Sequence, residues 1–138
     1  MKKRILFVAN YKQGVGGISG QVDVLHAKLP LEGGIEAEVF STKGSMAKRL
    51  LLFFALLLKA GKYDVLHVHG CSYRGFLPVV YGIVAGKLWR KRIVVTYHGG
   101  EAKDFFSKHP KWVRFWLMKA DERWYYRVFW KPSSRPIP

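Results

Sequence analysis

Short apolar runs, each closed by a polar or glycine residue and each followed by helical periodicity, constrain this chain more than any other feature. Arg4-Ile-Leu-Phe-Val-Ala-Asn10 is nearly all apolar, the pattern of a strand buried on both faces. Gly14-Val-Gly-Gly17 leads into a run where Ile18, Val22, Leu25 and Leu29 recur at helical spacing until Pro30 stops it. Residues 37–40 read as a second strand and 46–60 as a second helix ended by Gly61. Residues 64–69 read as a third strand, and 76–88 as a third helix with Pro78 in its first turn. Residues 92–97 form a fourth strand, and a helical stretch covers about 111–119. Such alternation with short connections predicts right-handed βαβ units, hence an α/β, Rossmann-like, doubly wound parallel sheet. At 138 residues there is room for one such domain around one core.

Composition closes several other routes. A single cysteine, Cys71, excludes an intramolecular disulfide framework and a cysteine-built zinc site. The longest apolar run, residues 50–58, is nine residues against the ~18–20 that a spanning helix needs. The 46–60 stretch therefore reads as a packed helix rather than a membrane one. The basic N-terminus is followed by too short an apolar core for a signal peptide, so the expected compartment is the cytoplasm. A net charge of +15 points to an anionic partner.

In doubly wound sheets ligands bind beyond the carboxyl ends of the strands. Three loops of unusual composition fall there: residues 14–17, His69-Gly70-Cys71, and His98-Gly99-Gly100. Gly14-x-Gly16-Gly17 opens a helix whose amides can approach a phosphate or a sugar, the alternative being a tight turn without ligand. It is not a dinucleotide fingerprint: Ser19 stands at the third glycine position, and no acid follows the second strand to hold a ribose. The lysine of a phosphate-binding P-loop is absent as well.

His67 and His69 lie two apart on a strand and face the same way, and with His98 they could form a three-histidine metal site. No carboxylate cluster accompanies them, so no metal is expected. His67 reads as a core histidine bonded to backbone, whereas His69 and His98 stand where ligand contact is as expected as packing. Cys71 beside His69 reads as a small buried hydrophobe rather than a nucleophile, because nothing orients the histidine. Lys87, Arg90, Lys91, Arg92, Lys103, Lys108, Lys111, Arg114 and Lys119 are interleaved with Trp89, Trp112, Phe115 and Trp116. No motif places a helix in a nucleic-acid groove, so no nucleic-acid partner is expected. The mix suits either a solvated basic face or the interface of an anionic membrane.

Ile5-Leu-Phe-Val, Gly16-Gly17-Ile18, Asp64-Val-Leu-His-Val-His-Gly70 and Val94-Val-Thr-Tyr-His-Gly99, in that order and spacing, resemble one family. Residues 3 to 122 are similar to the N-terminal, acceptor-side domain of family 4-type retaining glycosyltransferases of GT-B architecture. The resemblance implies a sugar transferred from a nucleotide-diphosphate donor to a sugar or lipid-linked acceptor hydroxyl, without a metal or other cofactor. It places His98 beside the transferred sugar as the catalytic-site residue. It also makes Gly16, Gly17, His69 and Gly99 substrate-binding. Lipid-linked acceptors in that family would suit a protein resting on the membrane's inner face.

The family's second, donor-binding domain is missing from these residues, so this chain is expected to be inactive on its own. Residues 123–138 read differently from the rest, with five of the 21 aromatics, three of the six prolines, four positive charges and no acid. Shifted one nucleotide upstream, Trp124-Tyr-Tyr forces Val-Leu and Phe129-Trp-Lys forces Leu-Glu. The free codon positions permit the Val-Val-Leu-Pro-Ser of the family's next strand. The expectation is a frameshift near Arg123, loss of the next strand from the sheet, and poor solubility. The alternatives are a non-catalytic module that binds an anionic ligand, or the acceptor subunit of a split glycosyltransferase.

Overall fold

The apolar runs form the strands of one parallel sheet in the computed structural model, which describes residues 3–11, 16–71, 73–98 and 102–125. In chain order the elements are β1 (Lys3–Ala9), α1 (Gly16–Lys28), β2 (Ile35–Ser41), α2 (Met46–Lys59) and β3 (Val65–Gly70). Then come α3 (Leu77–Leu88), β4 (Arg92–Tyr97), α4 (Ala102–Lys108), α5 (Pro110–Leu117) and β5 (Glu122–Tyr125). The five strands are all parallel in the order β2-β1-β3-β4-β5. The chain thus winds outward from β1 in both directions, and the winding reverses between β1 and β3. A ligand crevice belongs at that switch point, beyond the carboxyl ends.

Strand alternation sorts the core into two faces. Leu6, Val8, Leu66, Val68, Ile93 and Val95 point to the first face, where they pack with Leu56 of α2, Val79 and Ile83 of α3, and Val113 and Leu117 of α5. Phe7 and Ala9 point to the second face and pack with Val22 of α1. Helix α3 lies close on the sheet because of two glycines one turn apart. A Cβ on Gly82 would sit 2.2 Å from Val68 Cγ2, and one on Gly86 would sit 2.5 Å from Ile93 Cγ1.

Local chemistry fixes the element ends. The Ser45 hydroxyl caps α2 by accepting the Lys48 amide at 3.3 Å. Pro30 ends α1 as the sequence predicts. A 3₁₀ turn over Leu29–Glu32 follows, and Gly33 and Gly34, at φ +81° and +69°, turn the chain into β2. Asp64 accepts the Arg4 amide at 2.8 Å just before β3, and Asp121 accepts the Ile93 amide at 2.7 Å just before β5. Two equivalent carboxylates therefore lock the starts of β1 and β4 to their neighbours.

Three expectations change. Helix α1 begins at Gly16 rather than Ile18, so Gly16 and Gly17 lie inside its first turn. The helical stretch expected over 111–119 is α5, which starts at Pro110, and an unexpected helix, α4, stands before it; Pro110 cannot continue α4, and His109 leaves helical geometry at φ −132° and ψ 50°. The strand expected to be lost is present as β5, which pairs with β4 from Val94↔Glu122 to Tyr97↔Tyr125. Arg123, Trp124 and Tyr125 of the segment set apart as a tail thus belong to the sheet, while residues 126–138 lie outside the described residues.

Candidate functional site

Strands β1 to β4 carry their polar or glycine punctuation to the carboxyl edge. Gly16 and Gly17 open α1 on the β1 side, with no acidic residue in the first turn of that helix. The helix N-terminus there presents backbone N–H groups without intrahelical partners, a setting that favours negative charge. Tyr11, leaving β1, is tied to this helix by a hydroxyl hydrogen bond to Asp23, which raises the Tyr11 pKa. Gly14, Gly99 and Gly100 lie outside the described residues.

On the other side of the crevice stand the histidines. His69, near the end of β3, is fully buried, and its Nδ1 lies 3.1 Å from Nε2 of His98, which follows β4 directly. The His98 amide donates to the Gly70 carbonyl at 2.8 Å and so extends the β3–β4 ladder by one rung. The His67 and His69 rings stack at 4.4 Å between centroids, the His69 and His98 rings at 5.4 Å, and Phe7 packs against both His67 and His69. The shared facing of His67 and His69 is as the alternation predicts. The partner of His67 is not backbone, however: its Nε2 bonds the Thr96 hydroxyl at 2.8 Å. The reason is register, since Thr96 lies two residues beyond His67's partner Val94 and so on the same face.

Burial holds all three rings neutral at pH 7. It pushes His67 down to about 4, with the neighbouring His98 adding to the effect. It pushes His69 to about 2, reinforced by His67 and His98, and His98 to about 4. Among the described residues no group of three metal-ligating side chains could hold an ion.

Four polar atoms are buried without a partner among the described residues: Asn10 Oδ1, Gln21 Oε1, Thr42 Oγ1 and His69 Nε2. Asn10 follows β1, Thr42 follows β2, His69 ends β3, and Gln21 lies in α1 soon after its start. An unpartnered buried polar group costs about 1–3 kcal/mol, so these four are the atoms at which a new hydrogen bond would gain most. Sequence reasoning used Asn10 only as a strand terminator and missed Thr42 and Gln21. For Thr42 the available signal was position, since it follows the end of β2; Gln21, inside α1, offers none.

The fold thus defines a Rossmann-like α/β domain whose carboxyl edge carries buried, hydrogen-bonding side chains. A family model described as Glycosyltransferase Family 4 matches residues 31–131, more than half of the chain, and the chain belongs to that family. The matched segment contains His69 and His98, while Gly16 and Gly17 precede it. A search of curated proteins finds no match. Among solved structures, a flavoprotein in complex with FMN from Lactobacillus acidophilus NCFM is similar at 14% identity. That match covers 90% of this chain and 89% of that one. Its TM-score of 0.41 is too low to carry an argument about this chain.

Proposed function

We propose that these residues form the acceptor-side domain of a retaining glycosyltransferase of GT-B architecture, which moves a sugar from a nucleotide-diphosphate donor to a sugar or lipid-linked hydroxyl. The observation that carries this reading, beside family membership, is His69 Nε2: a fully buried ring nitrogen without a partner at the carboxyl edge. A sugar is the ligand class that fits, because it brings many neutral hydroxyls, each able to donate and accept.

The division of labour follows from charge. The histidines are neutral at pH 7, so they can bond sugar hydroxyls but cannot balance a pyrophosphate. The α1 N-terminus behind Gly16 and Gly17 is the group suited to negative charge developing on the leaving diphosphate. His98 is the residue proposed to lie against the transferred sugar. His69, hydrogen-bonded to it, fixes its ring and bonds the acceptor. Transfer requires donor and acceptor held together, so a second Rossmann-like domain is proposed to supply the donor side. The frame one nucleotide upstream of the Arg123 codon is its proposed source, which sequencing past the Pro138 codon tests directly.

Calorimetric titration with UDP-glucose, GDP-mannose and octyl glucoside, with nucleotide release as the turnover signal, tests the activity. Turnover, by this chain or by the chain joined to the second domain, supports the transferase. Binding without turnover in either form favours the binding module. An absence of sugar binding overturns both.

A further inference from the structure

The outer surface of the first-face helical layer has an unusual composition. Helix α3 packs between α2 and α5, and together these three helices carry six lysines and arginines and no acid. A solvated helix turns polar residues outward, whereas α2 turns out Met46, Leu50, Leu51, Phe54 and Leu58 along one stripe. Leu51 and Leu58 are 71% and 79% exposed, although Leu56 of the same helix is fully buried in the core. Lys48, Arg49 and Lys59 flank that stripe at its two ends. Helix α5 repeats the pattern with Trp112 and Phe115 exposed. Lys111, Arg114, Phe115, Met118 and Lys119 line an open concavity of about 510 Å³ there, three cations around an apolar floor with no acid. The acids at the margins are engaged: Glu36 with Arg4, Glu38 with Lys59 and Tyr63, and Asp104 with Lys108.

We infer that the α2–α3–α5 layer is a docking surface for an anionic lipid bilayer. Its apolar side chains would enter the interface, and its lysines and arginines would meet phosphate headgroups. Charge complementarity decides the occupant. A second copy docking on this face would set two basic helical layers against each other, offset only at Lys59 by Glu38 of β2, which disfavours self-association. A bilayer instead offers anionic charge and an apolar phase in the same plane, as the mixed stripe requires. The inference does not rest on sugar transfer, and it is tested without any nucleotide sugar, so the two can fail separately.

The test is co-sedimentation of the full chain with vesicles of phosphatidylcholine alone and of phosphatidylcholine with a minority of phosphatidylglycerol. The expected result is binding to the anionic vesicles only, weakened by salt, with a blue shift of tryptophan emission. Lys111→Glu/Arg114→Glu/Lys119→Glu should weaken binding on the order of 100-fold, about fivefold per cation removed. Leu51→Ser/Phe54→Ser/Leu58→Ser should weaken it at least about tenfold with an unchanged circular dichroism spectrum. Equal binding to pure phosphatidylcholine, or anionic binding untouched by the serine variant, would overturn the inference. So would a dimer in light scattering that the serine variant dissolves, or binding of polyglutamate in preference to the vesicles.

Discussion

The imidazoles of His69 and His98 meet at 3.1 Å, nitrogen to nitrogen, across the carboxyl ends of two adjacent strands. Neither ring can take a proton without losing that contact or leaving a charge in a buried stack, so the pair works as a neutral hydrogen-bonding unit.

Stability should therefore fall in weak acid. The folded pKa values of His67, His69 and His98, at about 4, 2 and 4, lie below the ordinary 6.5. The unfolded chain thus binds more protons than the folded one as pH falls below 6.5. The contribution is fully present above pH 6.5 and is lost as pH drops toward 4, at up to about 1.4 kcal/mol per pH unit for each histidine. Urea midpoints measured across that range should be flat above pH 6.5 and decline below it. A midpoint constant down to pH 4 would contradict the neutral stack.

Replacing His69 separates binding from folding. His69→Phe removes an orphaned buried nitrogen, keeps the ring against Phe7 and gives up the His98 contact, so the gain and loss offset and stability from urea denaturation should change by no more than about 1 kcal/mol. Sugar binding followed by calorimetry should weaken by about tenfold. A large loss of stability with unchanged sugar affinity would return His69 to the role of a packing residue.

Gly82 tests the closeness of helix to sheet. An added methyl meets Val68 Cγ2 at 2.2 Å, and a β-branched neighbour on a central strand cannot swing aside. Gly82→Ala should destabilise the fold by about 1–3 kcal/mol in chemical denaturation, despite alanine's better helix propensity. A gain in stability would mean that α3 sits further from the sheet.

Asp121 holds β5 in place through the Ile93 amide, and its own amide donates to the Ile93 carbonyl at 2.9 Å. Asp121→Ala should cost about 1 kcal/mol and loosen β5 selectively. Amide exchange should then speed up in β5 and the start of β4 before it does in β1. Uniform acceleration across the sheet would deny it a local role.

The sequence displays its strands plainly because a parallel sheet covered by helices turns each strand into an unbroken apolar run, as in Leu6 to Ala9. His69 and His98 were legible as edge residues for the same reason, each ending such a run. Their mutual hydrogen bond was not, since it depends on the register that sets His69 opposite Thr96. Thr42 showed only its place after β2, and Gln21 showed nothing, because what distinguishes both is the lack of a partner, a property of the packed molecule. α4 is not legible because Ala102–Lys108 is a single short stretch of seven residues, too brief to show a repeating apolar period. β5 was missed because Glu122-Arg-Trp-Tyr125 shows no apolar run. It is held instead by the Asp121 carboxylate and the Arg92–Glu122 ion pair.

One of the three interior strands, β1, is also the first one made. Val65 is sixty residues downstream of its pairing partner Ile5. At translation speeds of about 5–20 residues per second, several seconds pass between the appearance of the two. During that time β1 can pair only with β2, and the other edge of Ile5–Val8 stands open. A ribosome stalled before Val65 would leave an apolar strand edge available to any neighbouring chain. For this molecule the hazard of mispairing is concentrated in its birth, and it shrinks once the third strand has arrived.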